Sequence, residues 1–292
     1  MVDQSGNGTV ETISEAVAMA VDGDEILVKP GTYAESITVD KDITITGDGA
    51  ADEIVIEIAE DGPTDAAIFT YRPRYAFFID GADATVGNLT VVGPRANVSA
   101  FIVTGGSPTI HDVVANLEPL GSPSGFVLMD GGAGVIRDNA TDLFLWVDGG
   151  STPEIVGNVS THVIRPNGVG TDRWIHGNVA TGVWVHDGSA SLVEDNDITG
   201  SRNPDCAIEA AGDGASPIVR GNRISENDVA ICTYDNGTIT ELTGNTITGN
   251  GTALRLVSSP DVPDLVGNTI CDNETDLVSG GEEPVKGGSC TG

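Results

Sequence analysis

Five side chains with binding chemistry occur in short apolar segments of the second half of the chain: Trp184, His186, Glu209, Tyr234 and Arg255. An aromatic ring can stack on an apolar ligand face, a Glu or His can move protons, and an Arg can pair with an anion. Successive strand residues point to opposite faces, so these five side chains share one outer surface if the segments are β-strands. The sequence therefore predicts a ligand-binding surface at these residues, which we call the outer strip.

The same alternation assigns the intervening residues to the interior. The predicted inward set of these segments is Val183, Ile208, Ile231 and Leu254. In an earlier segment the rule predicts that Phe144 and Trp146 point inward and that Leu145 and Val147 point outward. An error of one residue in register would exchange the two faces.

Aspartates followed by Gly or Asn-Gly occur just after the segments of the outer strip, at Asp187, Asp213 and Asp235. Asp-Gly is a common turn dipeptide, so ordinary turns explain the pattern. The alternative is a column of carboxylates about one strand spacing apart, which would raise one another's pKa unless a cation lay between them. Ca²⁺ prefers oxygen ligands, so calcium is the one cofactor that the sequence suggests.

A repeat of fixed period explains why such segments recur. Asn222, Asn245 and Asn268 are 23 residues apart, since 245 − 222 = 23 and 268 − 245 = 23, and an isoleucine follows each at the same offset. The series continues toward the N-terminus at less regular steps, through Asn196, Asn178, Asn158, Asn139, Asp112 and Asn88. Each repeat holds short β-like runs and no 3.6-residue apolar pattern. The period predicts an all-β parallel solenoid of about ten coils, with asparagine amides hydrogen-bonded from coil to coil.

The N-terminal region adds a more specific pattern. Val10–Ala20 places apolar residues on one helical face, and a run of short strands follows from Asp22 to Gly49. This stretch resembles the opening of pectin-lyase-like right-handed β-helix proteins, in which a helix caps the solenoid and a "GD-x-I-x-V-x-PG-x-Y-x-E" run forms the first coil. The matching residues are Gly23, Asp24, Ile26, Val28, Pro30, Gly31, Tyr33 and Glu35. The resemblance implies a single-stranded right-handed parallel β-helix.

The predicted organisation has three parts: a tail and capping helix over residues 1–20, the β-helix over 21–279, and a polar C-terminal tail over 280–292. Two proline-containing insertions, Asn116–Ser124 and Gly200–Asp205, interrupt the coils. Such insertions can form the wall of a groove.

The resemblance implies that the groove on the corresponding sheet binds polysaccharide. The catalytic signatures of the resembled families do not accompany it: the Gln-Asp pair and Asp-Phe-Ile-Phe-Gly segment of pectin methylesterases and the Asp-Pro-His motif of alginate epimerases are absent. Pectate lyases use an Arg base beside Asp-bound Ca²⁺, for which Arg220, Arg223 and Arg255 are candidates. Three functions stay open: a module that binds or presents carbohydrate, a lyase or epimerase acting on uronic-acid chains, and a structural surface spacer.

The formal charge of −31 excludes some partners. With 44 Asp and Glu against 13 Lys and Arg, the chain would be repelled by nucleic acid and by anionic membranes. Scarce basic residues and few aromatics are also typical of proteins adapted to high salt, which would screen the self-repulsion. No apolar run is long enough to span a membrane. We expect an exported or cell-surface protein whose signal peptide is not present in this sequence, because the resembled fold is mostly exported.

Four cysteines, Cys206, Cys232, Cys271 and Cys290, are compatible with disulfides in an exported protein. A Cys271–Cys290 bridge would pin the C-terminal tail over the last coil. The repeat register places Cys206 and Cys232 three residues out of line, which argues against a bond between them.

Overall fold

The structure, a computed structural model, describes residues 1–59, 62–64, 72–93, 97–117, 125–201, 206–257, 263–279 and 285–286. The chain folds as a parallel β-solenoid of about ten turns with one short N-terminal α-helix. It divides into two compact units, Met1–Glu154 with Asn158–Ser160, and Ile155–Gly157 with Thr161–Gly292.

The elements are short, as frequent Gly, Asn and Asp turns require. The first unit contains α1 (Ile13–Met19), β1 (Glu25–Val28), β2 (Gly31–Ala34), β3 (Ile37–Val39), β4 (Thr44–Gly47), a 3₁₀ turn (Ala51–Glu53), β5 (Ile54–Glu57), β6 (Arg74–Asp80), β7 (Thr85–Val92), β8 (Val98–Thr104), β9 (Thr109–Asn116), β10 (Gly125–Asp130), β11 (Val135–Arg137), β12 (Ala140–Thr141), β13 (Phe144–Asp148), the start of β14 (Glu154–Val156), and β15 (Val159–Ser160).

The second unit contains β16 (Val163–Pro166), β17 (Trp174–His176), β18 (Val179–Ala180), β19 (Gly182–His186), β20 (Leu192–Glu194), β21 (Asp197–Thr199), β22 (Ile208–Ala211), β23 (Ile218–Arg220), β24 (Arg223–Ser225), β25 (Val229–Tyr234), β26 (Glu241–Thr243), β27 (Thr246–Thr248), β28 (Thr252–Leu256), β29 (Thr269–Cys271), β30 (Thr275–Ser279) and β31 (Val285–Lys286).

Among the described residues of the second unit, the coils that begin with β16, β19, β22 and β25 each give one strand to one sheet and two shorter strands to another, and the coil that begins with β28 gives one strand to each. We call the first the front sheet, made of β16, β19, β22, β25, β28 and β30. The second is the back sheet, made of β17, β18, β20, β21, β23, β24, β26, β27 and β29. Pairing within each sheet is parallel, so that like positions stack from coil to coil. In the first unit β3, β6, β8, β10 and β13 form the corresponding front sheet.

The core of the second unit lies between its two sheets. Val183, Ile208, Ile231 and Leu254 occupy one register column of the front sheet and are almost completely buried. The prediction that these residues point inward is confirmed. Each buried Val, Ile or Leu side chain contributes about 1.5–3 kcal/mol relative to exposure, so a column of four supplies a substantial share of the stability.

Asparagine amides stack along the turn between the two back-sheet strands of each coil. In the second unit Nδ2 of Asn178, Asn196, Asn222 and Asn245 each donates to Oδ1 of the next asparagine in the series at 2.9–3.0 Å. Asn139 donates to Asn158 in the same way in the first unit. The predicted ladder is therefore confirmed at these positions, and it satisfies buried backbone groups that would otherwise lack partners.

The ladder assignment was wrong at its N-terminal end. Leu89 pairs with Val113, and the Val113 amide donates to Oδ1 of Asn139, so Val113 occupies the ladder position and Asp112 precedes it. Asn88 and Asp112 instead have left-handed backbones, with φ of 55° and 52°. Asn and Asp are common both in such turns and in ladders, and the sequence pattern did not separate the two roles.

A second ladder was missed. Asn227 donates to Asn250, and Asn250 to Asn273, each at 3.0 Å. These residues follow the first ladder by five positions and repeat with the same 23-residue period, so the signal was present in the sequence. Asn250 and Asn273 also match Asn-x-Ser/Thr, the acceptor pattern for N-linked glycans, but both side chains are buried in the ladder.

The N-terminal helix is held by residues of the resembled first coil. Thr12 caps the helix by accepting from the Glu15 amide, which explains why the helix begins at Ile13 rather than at the predicted Val10. The Glu35 carboxylate accepts from the Ile13 and Ser14 amides, each at 2.9 Å. Lys41 Nζ donates to the Val17 carbonyl at the other end of the helix. Both charges complement the helix dipole.

The predicted facing of β13 was wrong. Leu145 and Val147 are buried and in register with Val127 and Met129, whereas Phe144 and Trp146 are half-buried. Trp146 packs with Tyr75, Ile102 and Leu128. The prediction counted back from the Asp-Gly turn, and the residue before Asp148 points inward while the residue before Asp187 points outward.

Several predicted features lie outside the described residues. These are most of the insertions at Asn116–Ser124 and Gly200–Asp205, and Cys290 with its predicted bridge to Cys271. Within the predicted C-terminal tail, β31 is described and pairs antiparallel with β30. A bilayer-spanning helix is not found in the part of the chain that the structure describes.

Candidate functional site

The outer strip lies on the outward face of the front sheet of the second unit. Trp184 and Glu209 are register partners, and the same column continues through Cys232 to Arg255. His186 and Tyr234 stand in the neighbouring column, with Ala211 between them. The five side chains are half-buried while the residues that alternate with them are buried. The structure thus brings all five together on consecutive coils.

Trp184 lies against the outward face of the sheet. Its indole N–H donates to the Cys206 carbonyl at 2.9 Å. A Cβ at Gly182 would lie 3.1 Å from the indole nitrogen, so the missing side chain at Gly182 makes room for the ring. The ring is parallel to the His186 imidazole, at 8° and 6.5 Å between centroids. The result is an aromatic surface with a fixed orientation.

His186 connects Arg165 to Glu209. Arg165 Nη2 is 3.2 Å from His186 Nδ1, and His186 Nε2 is 2.8 Å from Glu209 Oε1. A guanidinium is always a donor, so Nδ1 accepts and Nε2 carries the proton that is donated to Glu209. The His186 and Glu209 side chains are 15% and 14% exposed. The arrangement fixes the imidazole tautomer and the orientation of the carboxylate.

Tyr234 and Arg255 form the far end of the outer strip. Arg255 Nη1 donates to the Tyr234 hydroxyl at 3.2 Å. Tyr234 packs against the cluster of Cys206, Val229 and Cys232. A guanidinium has five N–H donors, so Arg255 can hold the tyrosine and still bind a ligand oxygen.

A disulfide joins Cys206 and Cys232 beneath the outer strip, with their Cα atoms 6.0 Å apart. The sequence argument against this bond was wrong. It required cysteines at equivalent repeat positions for a bond, but Cys232 lies in β25 opposite Glu209, and Cys206 precedes β22. A side chain outside the strand can reach across the register.

A shallow depression of about 380 Å³ lies at the edge of the outer strip. It is lined by His186, Glu209 and Tyr234 together with Asp187 and Asp235. Three of the five predicted binding residues and two of the predicted aspartates therefore border the same space.

The three aspartates do not form a single column. Asp187 and Asp235 have left-handed backbones, with φ of 46° and 47°, and Gly212 has the equivalent conformation at 87° in the intervening coil. A Cβ at Gly212 would lie 2.2 Å from Asp187 Oδ1. Asp213 is one residue further on and accepts from Asn236 Nδ2 at 2.8 Å. The calcium site at these residues stays a prediction.

A second polar cluster on the back sheet was missed by sequence reasoning. Trp174 is 46% exposed, and its ring stacks on His176 with 3.9 Å between centroids. Its indole N–H donates to Glu194 at 3.0 Å, and Arg220 Nε donates to the same carboxylate at 2.6 Å. The shared Trp-x-His spacing of residues 174–176 and 184–186 was the available signal.

A comparison with models of protein families supports the fold. A family model described as right-handed β-helix region matches residues 125–274, just over half of the chain. A search of curated proteins by sequence finds no match.

Solved structures of similar architecture include a pectin methylesterase in complex with a hexasaccharide, at 16% identity over 68% of this chain and 78% of that chain, with a TM-score of 0.47. A pectin methylesterase from Erwinia chrysanthemi is 16% identical over 90% of each chain, with a TM-score of 0.44. The mannuronan C-5 epimerase A-module from Azotobacter vinelandii is 12% identical over 88% and 93%, with a TM-score of 0.28.

Proposed function

Because the chain belongs to the right-handed β-helix family, whose stacked coils hold side chains in columns, we propose that the outer strip is a carbohydrate-binding surface. The observation that carries the proposal is the fixed indole of Trp184 beside two hydrogen-bonded polar pairs, His186–Glu209 and Tyr234–Arg255. A flat aromatic face with polar groups at its margin suits a sugar ring, which has an apolar face and a rim of hydroxyls.

The dimensions of the outer strip support a short oligosaccharide as the ligand. Trp184 and Arg255 are three coils apart in one register column, which corresponds to about 14 Å at the strand spacing. That length suits two or three sugar residues. The side chains are also constrained by bonds to one another, so little conformational entropy is lost when a ligand binds.

The charges of the outer strip favour a ligand that carries carboxylates. Two of the 13 basic residues of a chain with formal charge −31, Arg165 and Arg255, stand at its two ends. An arginine can bind a carboxylate through two parallel hydrogen bonds. The acidic surroundings oppose an anionic chain, so binding of a uronate oligosaccharide should improve as salt screens that repulsion.

Titration calorimetry of neutral and uronate oligosaccharides of equal length tests the proposal. We expect micromolar to millimolar binding of at least one saccharide and a loss of about tenfold in affinity, or about 1.4 kcal/mol, in Arg255→Gln for the uronate alone. Arg223→Gln, an exposed arginine of the back sheet paired with Asp197, is the matched control. Failure of the native protein to bind any saccharide of the panel would contradict the proposal.

A catalytic role is the second candidate, favoured by one observation. The Glu209 carboxylate is oriented by His186 at 2.8 Å and lines the same depression as Tyr234, so a base and a phenolic acid border one space. Lyase activity on a polyuronate would appear as ultraviolet absorbance of the unsaturated product. That absorbance should disappear in Glu209→Gln. Saccharide binding by the native protein without any turnover would contradict the catalytic role and favour a binding module.

We also propose that the protein works outside the cell or at its surface. The Cys206–Cys232 disulfide supports this location, because disulfides persist mainly in oxidising compartments. Labelling of thiols in protein taken directly from cells tests it. A fully reduced Cys206–Cys232 pair in freshly isolated protein would argue for a reducing compartment.

A further inference from the structure

Beneath the outer strip, two sulfur atoms and a carboxylate lie close enough together to share one ion. Ligand atoms of Cys206, Glu209 and Cys232 all lie within 4.8 Å of one another, and among the described residues this is the one group of three potential metal ligands at such distances. In the structure the two sulfurs are bonded to each other. We propose that reduction of this disulfide converts the group into a site for a thiophilic divalent cation such as Zn²⁺.

The distances fit tetrahedral coordination. With Zn–S near 2.3 Å and Zn–O near 2.1 Å, a tetrahedral site separates two sulfurs by about 3.8 Å and a sulfur from an oxygen by about 3.6 Å. Glu209 Oε2 is already 3.9 Å from Cys232 Sγ. The sulfurs need only to move apart by rotation of their side chains, since the Cα atoms are 6.0 Å apart.

The backbone around both cysteines is held by bonds that do not involve sulfur. Cys232 lies within β25, which pairs with a strand on each side. The Cys206 carbonyl accepts from Trp184, and the next amide, of Ala207, donates to the Val229 carbonyl at 2.9 Å. Reduction therefore leaves the two thiols facing Glu209.

The remaining contacts resemble the outer layer of a metal site. His186 donates to Glu209 Oε1, which leaves Oε2 directed at the sulfurs, and Arg165 holds the other imidazole nitrogen. Such partners orient ligating carboxylates and strengthen binding. The Tyr234 hydroxyl is 3.9 Å from Cys206 Sγ, where it can reach a thiolate. Three protein ligands leave a fourth position for solvent or substrate.

Reduction of the disulfide supplies the two thiols of the site. A dithiol reductant gives two electrons and two protons to the S–S bond and becomes a disulfide itself, and the chain gains two thiols. The cation then displaces both thiol protons and binds two thiolates and one carboxylate. The oxidised chain has no such site, so binding depends on redox state.

Cobalt titration followed by optical absorption tests the proposal, because thiolate-bound Co²⁺ gives sulfur-to-metal charge transfer in the near ultraviolet and intense visible bands when tetrahedral. Protein reduced with a phosphine should bind one equivalent of Co²⁺ with these bands, which Zn²⁺ then removes. Air-oxidised protein should give none. Circular dichroism of the same samples reports whether the β signal persists.

Two variants separate this site from the other thiols. Cys206→Ser/Cys232→Ser retains Cys271 and Cys290, so its loss of the cobalt bands assigns them to the proposed site. Glu209→Gln should keep the thiolates and bind at least tenfold more weakly. The proposal is overturned if the reduced native chain gives no bands, if it loses its β signal on reduction in the presence of the metal, or if the double variant gives the same spectrum.

Discussion

Two tryptophans ten residues apart, Trp174 and Trp184, each start a Trp-x-His pattern but lie in different environments. Trp184 of the front sheet is half-buried and donates to a backbone carbonyl. Trp174 of the back sheet is 46% exposed and donates to the carboxylate of Glu194, which also binds Arg220. The sheet on which the Trp-x-His pattern lies, rather than the pattern itself, therefore decides the partner of each indole N–H. On the front sheet the partner is a backbone carbonyl, and on the back sheet it is a titratable side chain.

Removal of the disulfide should give the largest difference between the two sites. In Cys206→Ser/Cys232→Ser the free energy of unfolding should fall by about 3–4 kcal/mol, the entropy expected for a loop of 26 residues. The emission of Trp184 should become stronger, because a disulfide quenches a nearby indole and the Trp184 N–H contacts the Cys206 carbonyl. Urea unfolding and fluorescence of variants that retain a single tryptophan measure both effects. A matching increase at Trp174 would show that the two environments are coupled.

Truncation of each indole should give the next largest difference. Trp184→Ala should lower the free energy of unfolding by about 2–3 kcal/mol, since it exposes half-buried surface and leaves the Cys206 carbonyl without its donor. Trp174→Ala should cost about 1 kcal/mol or less, because nearly half of the residue is already exposed to solvent. Chemical denaturation of the two variants side by side provides the test. Equal losses would contradict the assignment of Trp184 as the more constrained ring.

Acid should break the indole N–H hydrogen bond of Trp174 and leave that of Trp184 intact. The Arg220 hydrogen bond, assisted by Trp174, lowers the pKa of Glu194 below its ordinary value. The stabilisation of this contact is therefore complete above the ordinary glutamate range near ~4.3 and is lost as pH falls through the lower pKa of the folded state. Emission of a chain whose only tryptophan is Trp174 should change at a pH below the ordinary glutamate range, and Glu194→Gln should abolish the step. The carbonyl partner of Trp184 does not titrate, so the same step at Trp184 would break the comparison.

Salt should produce the smallest difference between the two rings. The exposed Glu194–Arg220 pair is screened by molar KCl, so the Trp174 emission should shift slightly while that of Trp184 is constant. If the acidity of the chain is an adaptation to high salt, the melting temperature should rise steadily over the same KCl range. A melting temperature that is the same at roughly 0.1 M and roughly 2 M KCl would count against the adaptation to high salt.

Calcium distinguishes specific binding from general screening. A sharp rise in melting temperature at millimolar Ca²⁺ without KCl would support the predicted site. Asp187→Asn/Asp235→Asn should remove that rise, and Asp213→Asn should have less effect because Asp213 already bonds to Asn236. An equal rise with Mg²⁺ in all variants would indicate screening alone.

The fold was predictable because its signals are repeated. A 23-residue period and alternation of apolar residues determine the coil, and each additional coil reinforces the register. The ladder end at Asp112 was misassigned because Asp and Asn serve two roles in adjacent turn positions. The second ladder at Asn227 and Asn250 was missed even though it follows the same period.

The facing of the outer strip was predictable for the same reason, since its register is anchored by a regular run of coils. Where the turn changes phase, at Trp146, the same rule gave the wrong face. The disulfide and the Trp174 cluster could not be derived from alternation. Cys206 lies outside a strand. The Glu194–Arg220 hydrogen bond depends on which side chains meet across coils of unequal length.

The central claim is that the outer strip, rather than the cluster around Trp174, binds carbohydrate. Its most direct test is the affinity of one oligosaccharide for Trp184→Ala and Trp174→Ala, measured by calorimetry under the same conditions and with native β signal verified. We expect Trp184→Ala to lose roughly 10–100-fold in affinity for the oligosaccharide, which is about 1–3 kcal/mol for a stacking anchor. Trp174→Ala should keep native affinity. Native affinity in Trp184→Ala together with a loss in Trp174→Ala would contradict it and move the site to the back sheet.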